Sequence, residues 1–198
     1  MWRTITMSVA SASQLAPPGA GIPKTELAWV RPVFGLANRL ISDARATARF
    51  EREAWQMLAK LAKLPPEQGI RQVLIERVVG IEDSSRYWSA YMVLEHLRIV
   101  NEIIARIIAS LGAGRPFPQE IRTADVKPNP SVGHDVLAGF ETGVRTYVAH
   151  VMPSLRSRTR FTHAHPWFGP LNAHGWHCLA AIHHTLHRRQ LTAILRML

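Results

Sequence analysis

The sequence predicts an all-α fold, a four-helix bundle with a long crossover loop and a short extra helix between helices one and two. Three observations predict it. Apolar residues recur at spacings of three, four or seven along four long stretches, no stretch alternates as a half-buried strand would, and prolines and glycines gather between the stretches. The 198 residues, 47% hydrophobic and 19% charged with a mean hydropathy of -0.03, have a globular composition.

Residues 1–24, rich in Ala, Ser, Pro and Gly, read as a disordered tail ahead of a bundle domain over 25–198, and Ile5–Ala10 is too short and polar for a secretory core. Pro32 suits a first helical turn, and Val33, Ala37, Leu40, Ile41, Ala44, Ala48, Trp55, Leu58 and Ala62 then mark one continuous helix ending before Pro65 and Pro66. Ile70, Val73, Leu74 and Val78 predict a short amphipathic helix closed by Gly80. Ser84 or Ser85 is placed to cap helix two, with the stripe Trp88, Met92, Val93, Val100, Ile103, Ile104, Ile107 and Ile108, ended by Gly112 and Gly114. Pro116, Pro118, Pro128 and Pro130 make residues 115–130 the crossover loop. Helix three follows Ser131, with Val136, Leu137, Phe140, Val144, Tyr147, Val148 and Val151 on one face and Pro153 as its stop. A loop from Ser154 leads to Asn172, a good N-cap for helix four.

The net charge of +10 is concentrated late in the chain, because Thr142 to Leu198 holds no Asp or Glu while Arg145, Arg156, Arg158, Arg160, Arg188, Arg189 and Arg196 fall there. A small anionic partner suits this balance. The short run Arg156, Arg158, Arg160 reads as a solvated loop, and nucleic acid is not expected. The apolar run Ile99–Leu111 is interrupted by Asn101, Glu102 and Arg106, so no membrane span is expected. Cys178 is the single cysteine, which excludes an intrachain disulfide, favours the cytoplasm and leaves a small helical hydrophobe with no Cys/His/Asn pattern around it.

Eight of the ten histidines lie between His150 and His187. His183 and His187 stand one turn apart in the row Trp176, Ala180, His183, His187, Leu191, Ile194, which faces inward, and His96 continues the inward row of helix two. Burying three unpaired imidazoles is costly, and three imidazoles around one Zn, Ni or Fe leave coordination positions open. Spacing alone favours ordinary core or surface histidines, since i,i+4 pairs arise readily among ten and the Glu of an HExxH motif is absent.

Tyr87-Trp88-Ser89 followed by Val93-Leu94-Glu95-His96-Leu97, then His165-Pro166-Trp167-Phe168-Gly169-Pro170-Leu171, then His183 to Gln190, resembles the DinB-like (DinB/YfiT) superfamily over roughly Val33 to Leu198. The resemblance implies a metal-binding bundle, often a homodimer, with His96, His183 and His187 as ligands. The pair Arg188-Arg189 before Gln190 departs from the family pattern by one extra arginine. His184 is expected to face outward or support a ligand. His163, His165, His174 and His177 are expected to solvate, cap or pack, with His165 best placed for a lip, and Trp88, Trp167 and Trp176 read as core.

The resemblance also implies activity. Some relatives transfer low-molecular-weight thiols, or isomerise substrates through a thiol adduct, with the metal activating the thiol; arginines at the mouth would then hold a glutathione-like cofactor. Metal-dependent hydrolysis needs a carboxylate base, which Glu95, Glu102, Glu141 or helix one would have to supply. A metal-binding or stress-response module without turnover is the alternative.

Overall fold

Ser42 divides what the periodicity predicts as one helix. Its side chain accepts from the Arg45 amide at 3.3 Å and starts a new helix, so the stretch forms α1 (Lys24–Leu40) and α2 (Asp43–Leu61) in the computed structural model, which describes residues 15–198. His174 clasps the break, with Nε2 2.8 Å from the Asn38 carbonyl and Nδ1 2.5 Å from Asp43 Oδ1. Apolar spacing does not register a capping serine, which is why the break was invisible to it. Pro32 lies inside α1 rather than at its start.

The predicted tail over 1–24 lies partly outside the described residues. Its described part is no free tail: the Ala16 amide donates to Asp83 Oδ2, and the Gly19 and Gly21 amides donate to the Glu82 carboxylate. The short helix after α2 is a single turn, α3 (Pro66–Gly69). Residues expected to be helical over Ile70–Val78 include instead β1 (Val73–Leu74), antiparallel to β2 (Tyr87–Trp88). Trp88 therefore belongs to a strand, and Ser89 rather than Ser84 or Ser85 caps α4 (Ala90–Gly112), accepting from the Met92 amide at 3.2 Å. A second hairpin, β3 (His163–His165) with β4 (Gly169–Leu171), precedes α6 (Ala173–Leu195), whose N-cap is Asn172 as expected. Pro153 does not stop α5 (Val136–Leu155) but sits in its last turn.

Side-chain pairings fix the helix directions. Thr47 meets His177 and Lys60 meets Thr192, so α2 and α6 run parallel; His184 meets Asn101 and His187 packs on His96, so α6 and α4 run antiparallel. Phe50 stacks on Tyr147 while Thr47 reaches Met152, which makes α2 and α5 antiparallel. It follows that α4 and α5 are parallel, and Gly112 at the end of α4 abuts Ser154 at the end of α5. Two adjacent parallel helices need a connection that returns along the bundle, and residues 113–135 provide it. Phe50, Leu94, Leu97, Ile107, Phe140, Tyr147 and Leu191 fill the interior, and α1 lies across α6 outside it.

A Cβ at Gly112 would stand 2.6 Å from the Ser154 carbonyl oxygen, an atom of backbone that cannot swing aside. Gly112→Ala is therefore expected to lower stability by about 1–3 kcal/mol in urea unfolding through overpacking. Helix propensity alone would predict a gain of up to ~1 kcal/mol.

Candidate metal centre

His96, on the second turn of α4, and His183 and His187, late on antiparallel α6, meet where the two helices face each other. His183 Nε2 lies 3.3 Å from His96 Nε2 and 2.9 Å from His187 Nε2. The three imidazole donors fall within 4.8 Å of one another, so the group could hold one metal ion. Imidazole nitrogens ~2.0–2.1 Å from one zinc in tetrahedral arrangement lie roughly 3.3 Å apart, the His96–His183 separation, and the His183–His187 pair is closer than this.

The proton positions follow from partners that can only accept. His96 Nδ1 lies 2.7 Å from the Val126 carbonyl, so it carries the hydrogen and Nε2 presents its lone pair. Gln190 donates its amide to the Ser85 carbonyl at 2.6 Å, which turns Gln190 Oε1 toward His187 Nδ1, also at 2.6 Å. His187 must then donate from Nδ1, leaving Nε2 free. Such outer hydrogen bonds orient ligating histidines and fix their tautomer. His183 Nδ1 is buried without a partner. Burial holds all three rings neutral: His96 is pushed down to about 4, and His183 and His187 lie well below the ordinary imidazole value, reinforced by the neighbouring rings. Neutral lone pairs turned toward a common point suit a cation, so the residues fit a divalent transition metal.

The centre forms part of the wall of a cavity of about 330 Å³. α1 contributes Trp29, Val33 and Phe34 to the wall, α4 Val100 and Ile103, α6 Leu179 and Ile182, and the second hairpin His165 to Phe168. Gly80 borders it with a φ of 87°, a conformation suited to glycine. Glu82 is the carboxylate among its lining residues, and its oxygens are engaged by Gly19, Gly21 and Ser84. Lys127, next to Val126, donates to Ser84 Oγ at 2.8 Å and Ser85 Oγ at 3.1 Å, and stands 5.3 Å from the centre of the Trp88 ring. Partial burial lowers the pKa of its ammonium.

Other expectations need correction. His184 does not face outward: it is fully buried, stacked on Phe50, and its Nε2 lies 3.1 Å from Asn101 Oδ1. His177 is also buried, between Thr47 and Tyr147. Trp167 and Trp176 line the cavity, and Trp88 packs against the His96 and His187 rings, so all three serve the site as well as the core. His165 lies on the cavity wall as a lip residue would. Cys178 is buried, and Arg156, Arg158 and Arg160 are exposed. Of the arginine pair that departs from the family pattern, Arg188 pairs with buried Glu53 and Arg189 stands exposed at the cavity. Gln190 carries a site role visible in sequence only as a residue one turn beyond His187. Ser85, Val126 and Lys127 had no signal, because two act through carbonyls and the third through loop geometry.

No protein-family model and no curated protein matches the chain. Among solved structures, the crystal structure of TT2238, a four-helix bundle protein, matches with a TM-score of 0.51 and 22% identity, over 77% of this chain and 98% of that one. That likeness shows the four-helix-bundle fold. Among the described residues no helix is long and apolar enough to cross a membrane.

Two predictions follow from the geometry. Gln190→Met removes the partner of His187 Nδ1 and is expected to weaken zinc binding by about 10–100-fold in chelator competition; unchanged affinity would show that this hydrogen bond does not support the centre. The second concerns pH. Burial pushes His96 and His177 down to about 4 and His184 to about 3, whereas the unfolded chain protonates them near 6.5. Their contribution to stability is complete above pH 6.5 and is lost as pH falls toward 4. His174 runs the other way, raised to about 10 by the Cys178, Asp43 and Asn38 groups around it, and its contribution is constant across that window. Metal-free protein is expected to unfold at lower urea at pH 5 than at pH 6.5, below the range in which the His174 contribution begins to fall.

Proposed function

We propose that the chain is a metal-dependent bundle protein of the DinB-like type, holding a divalent transition metal on His96, His183 and His187 and activating a low-molecular-weight thiol for transfer or isomerisation. The observation that carries this reading is the convergence of three neutral imidazoles, with the Nε2 lone pairs of His96 and His187 turned toward His183 Nε2, on the wall of an apolar cavity that offers no free carboxylate among the described residues. When bound, a divalent metal supplies the positive charge that deprotonates a thiol at neutral pH. The histidines supply lone pairs at fixed orientation, and the apolar wall limits water around the reacting groups.

Hydrolysis is less well supported, because it calls for a general base. Glu95 pairs with Arg98, Glu141 pairs with Arg145, and neither they nor Glu102 border the cavity. Glu26, from α1, is taken by Arg77 and the Gly80 amide. Arg189 is exposed at the cavity with no ion pair among the described residues, a position suited to a carboxylate of a glutathione-like thiol.

The test is elemental analysis of zinc- or nickel-reconstituted protein beside a His96→Ala, His183→Ala, His187→Ala variant, followed by conjugation of glutathione to a chromogenic aryl halide. Stoichiometric metal, lost by tenfold or more in the variant, with metal-dependent conjugation, supports the reading. Equal metal in both overturns the centre. Metal without thiol turnover leaves a binding module and overturns the transferase.

A further inference from the structure

Three cavity features are unused by the chemistry so far: the half-buried ammonium of Lys127, the length of the apolar wall, and the cover provided by α1. Lys127 has two serine hydroxyls and the face of Trp88 as partners and makes no ion pair among the described residues. Glu82 acts on it from a distance, with its own oxygens held by backbone amides and Ser84. Trp88 in turn lies nearly parallel to the His187 ring, at 9° and 6.1 Å between centroids, so the ammonium and the three imidazoles share one aromatic support. Lys127 also follows Val126, whose carbonyl holds His96.

A cation held in partly desolvated surroundings without a salt bridge favours an anionic ligand. One ammonium is a single point charge, suited to one anionic head group. Of the other cations at the cavity, Arg122 pairs with Asp125 and Arg189 is exposed, and Trp29, Val33, Phe34, Ile103, Ile182 and Phe168 make the rest of the wall apolar. A volume of about 330 Å³ is at the small end of ligand cavities, which run roughly 300–1,000 Å³.

We propose that the cavity takes an elongated apolar molecule bearing one carboxylate, with the carboxylate on the Lys127 ammonium beside the three imidazoles and the apolar body between α1 and the α4/α6 face. This rests on the metal-centre reading above and names the class of molecule presented to that centre. Medium-chain fatty acids and aryl-alkyl carboxylates belong to this class, and apolar amines are excluded from it.

Calorimetric titration of the zinc-loaded full chain with octanoate, octanol and octylamine tests the assignment, with Lys127→Met and Lys127→Arg alongside and metal content measured in every sample. Octanoate is expected to bind at least about tenfold more tightly than octanol, the scale of one charge-assisted contact, with octylamine weakest. Lys127→Met is expected to abolish the preference for octanoate while keeping its zinc and leaving octanol affinity within about twofold; Lys127→Arg is expected to retain the preference. Zinc-loaded wild type that does not prefer octanoate, or Lys127→Met that still does, overturns this inference and leaves the metal centre standing. Wild type that holds no zinc overturns the centre and this inference with it. If Lys127→Met fails to fold, the wild-type ranking and Lys127→Arg decide the matter.

Discussion

The structure is organised around two backbone carbonyls that cannot donate a hydrogen bond. Val126 forces the proton of His96 onto Nδ1, and Ser85, acting through Gln190, does the same for His187. Both rings must then turn lone pairs toward His183. His183 has at most one Nε2 hydrogen to offer these two lone pairs, so one of them is left without a full partner unless a cation lies among the rings. Neither carbonyl can be replaced in its role by a change of side chain at Val126 or Ser85.

The helix directions place those carbonyls. Parallel α4 and α5 oblige the connection to travel back along α4, which at ~1.5 Å per residue is roughly 35 Å long, and the returning chain passes the first turns of α4 where His96 stands. Val126 and Lys127 reach the site on that return. Antiparallel α6 brings His183 and His187 to the same level, and the salt bridge of Arg188 with buried Glu53 holds α6 on α2 beside them. The cavity is then closed laterally by α1 and the second hairpin, neither of which belongs to the four-helix core.

Much of this was legible in the residues. The bundle, the returning loop, the Asn172 cap and the inward row carrying His183 and His187 follow from periodicity and turn chemistry, and His96 follows from its place in the row of α4. The spacing could not distinguish a packed histidine from a ligand, and His184 shows why: α6 is buried on two faces, so an adjacent imidazole is as deeply placed as the pair beside it. The break at Ser42 was hidden because apolar spacing continues across it. Two-residue strands such as β1 and β2 are too short to show a period, and Trp88 was absorbed into the helical row that begins only after Ser89. Contributions made by carbonyls leave no trace in residue type.

The parts of the centre are far apart along the chain. His96 and Val126 are separated by 30 positions, His96 and His183 by 87, and Ser85 and Gln190 by 105. Closing loops of that length costs entropy that local helix formation does not repay. A chain with its helices formed but its return loop not yet laid down has no oriented imidazole to offer. An ion held by these three histidines would therefore stabilise the completed topology by mass action.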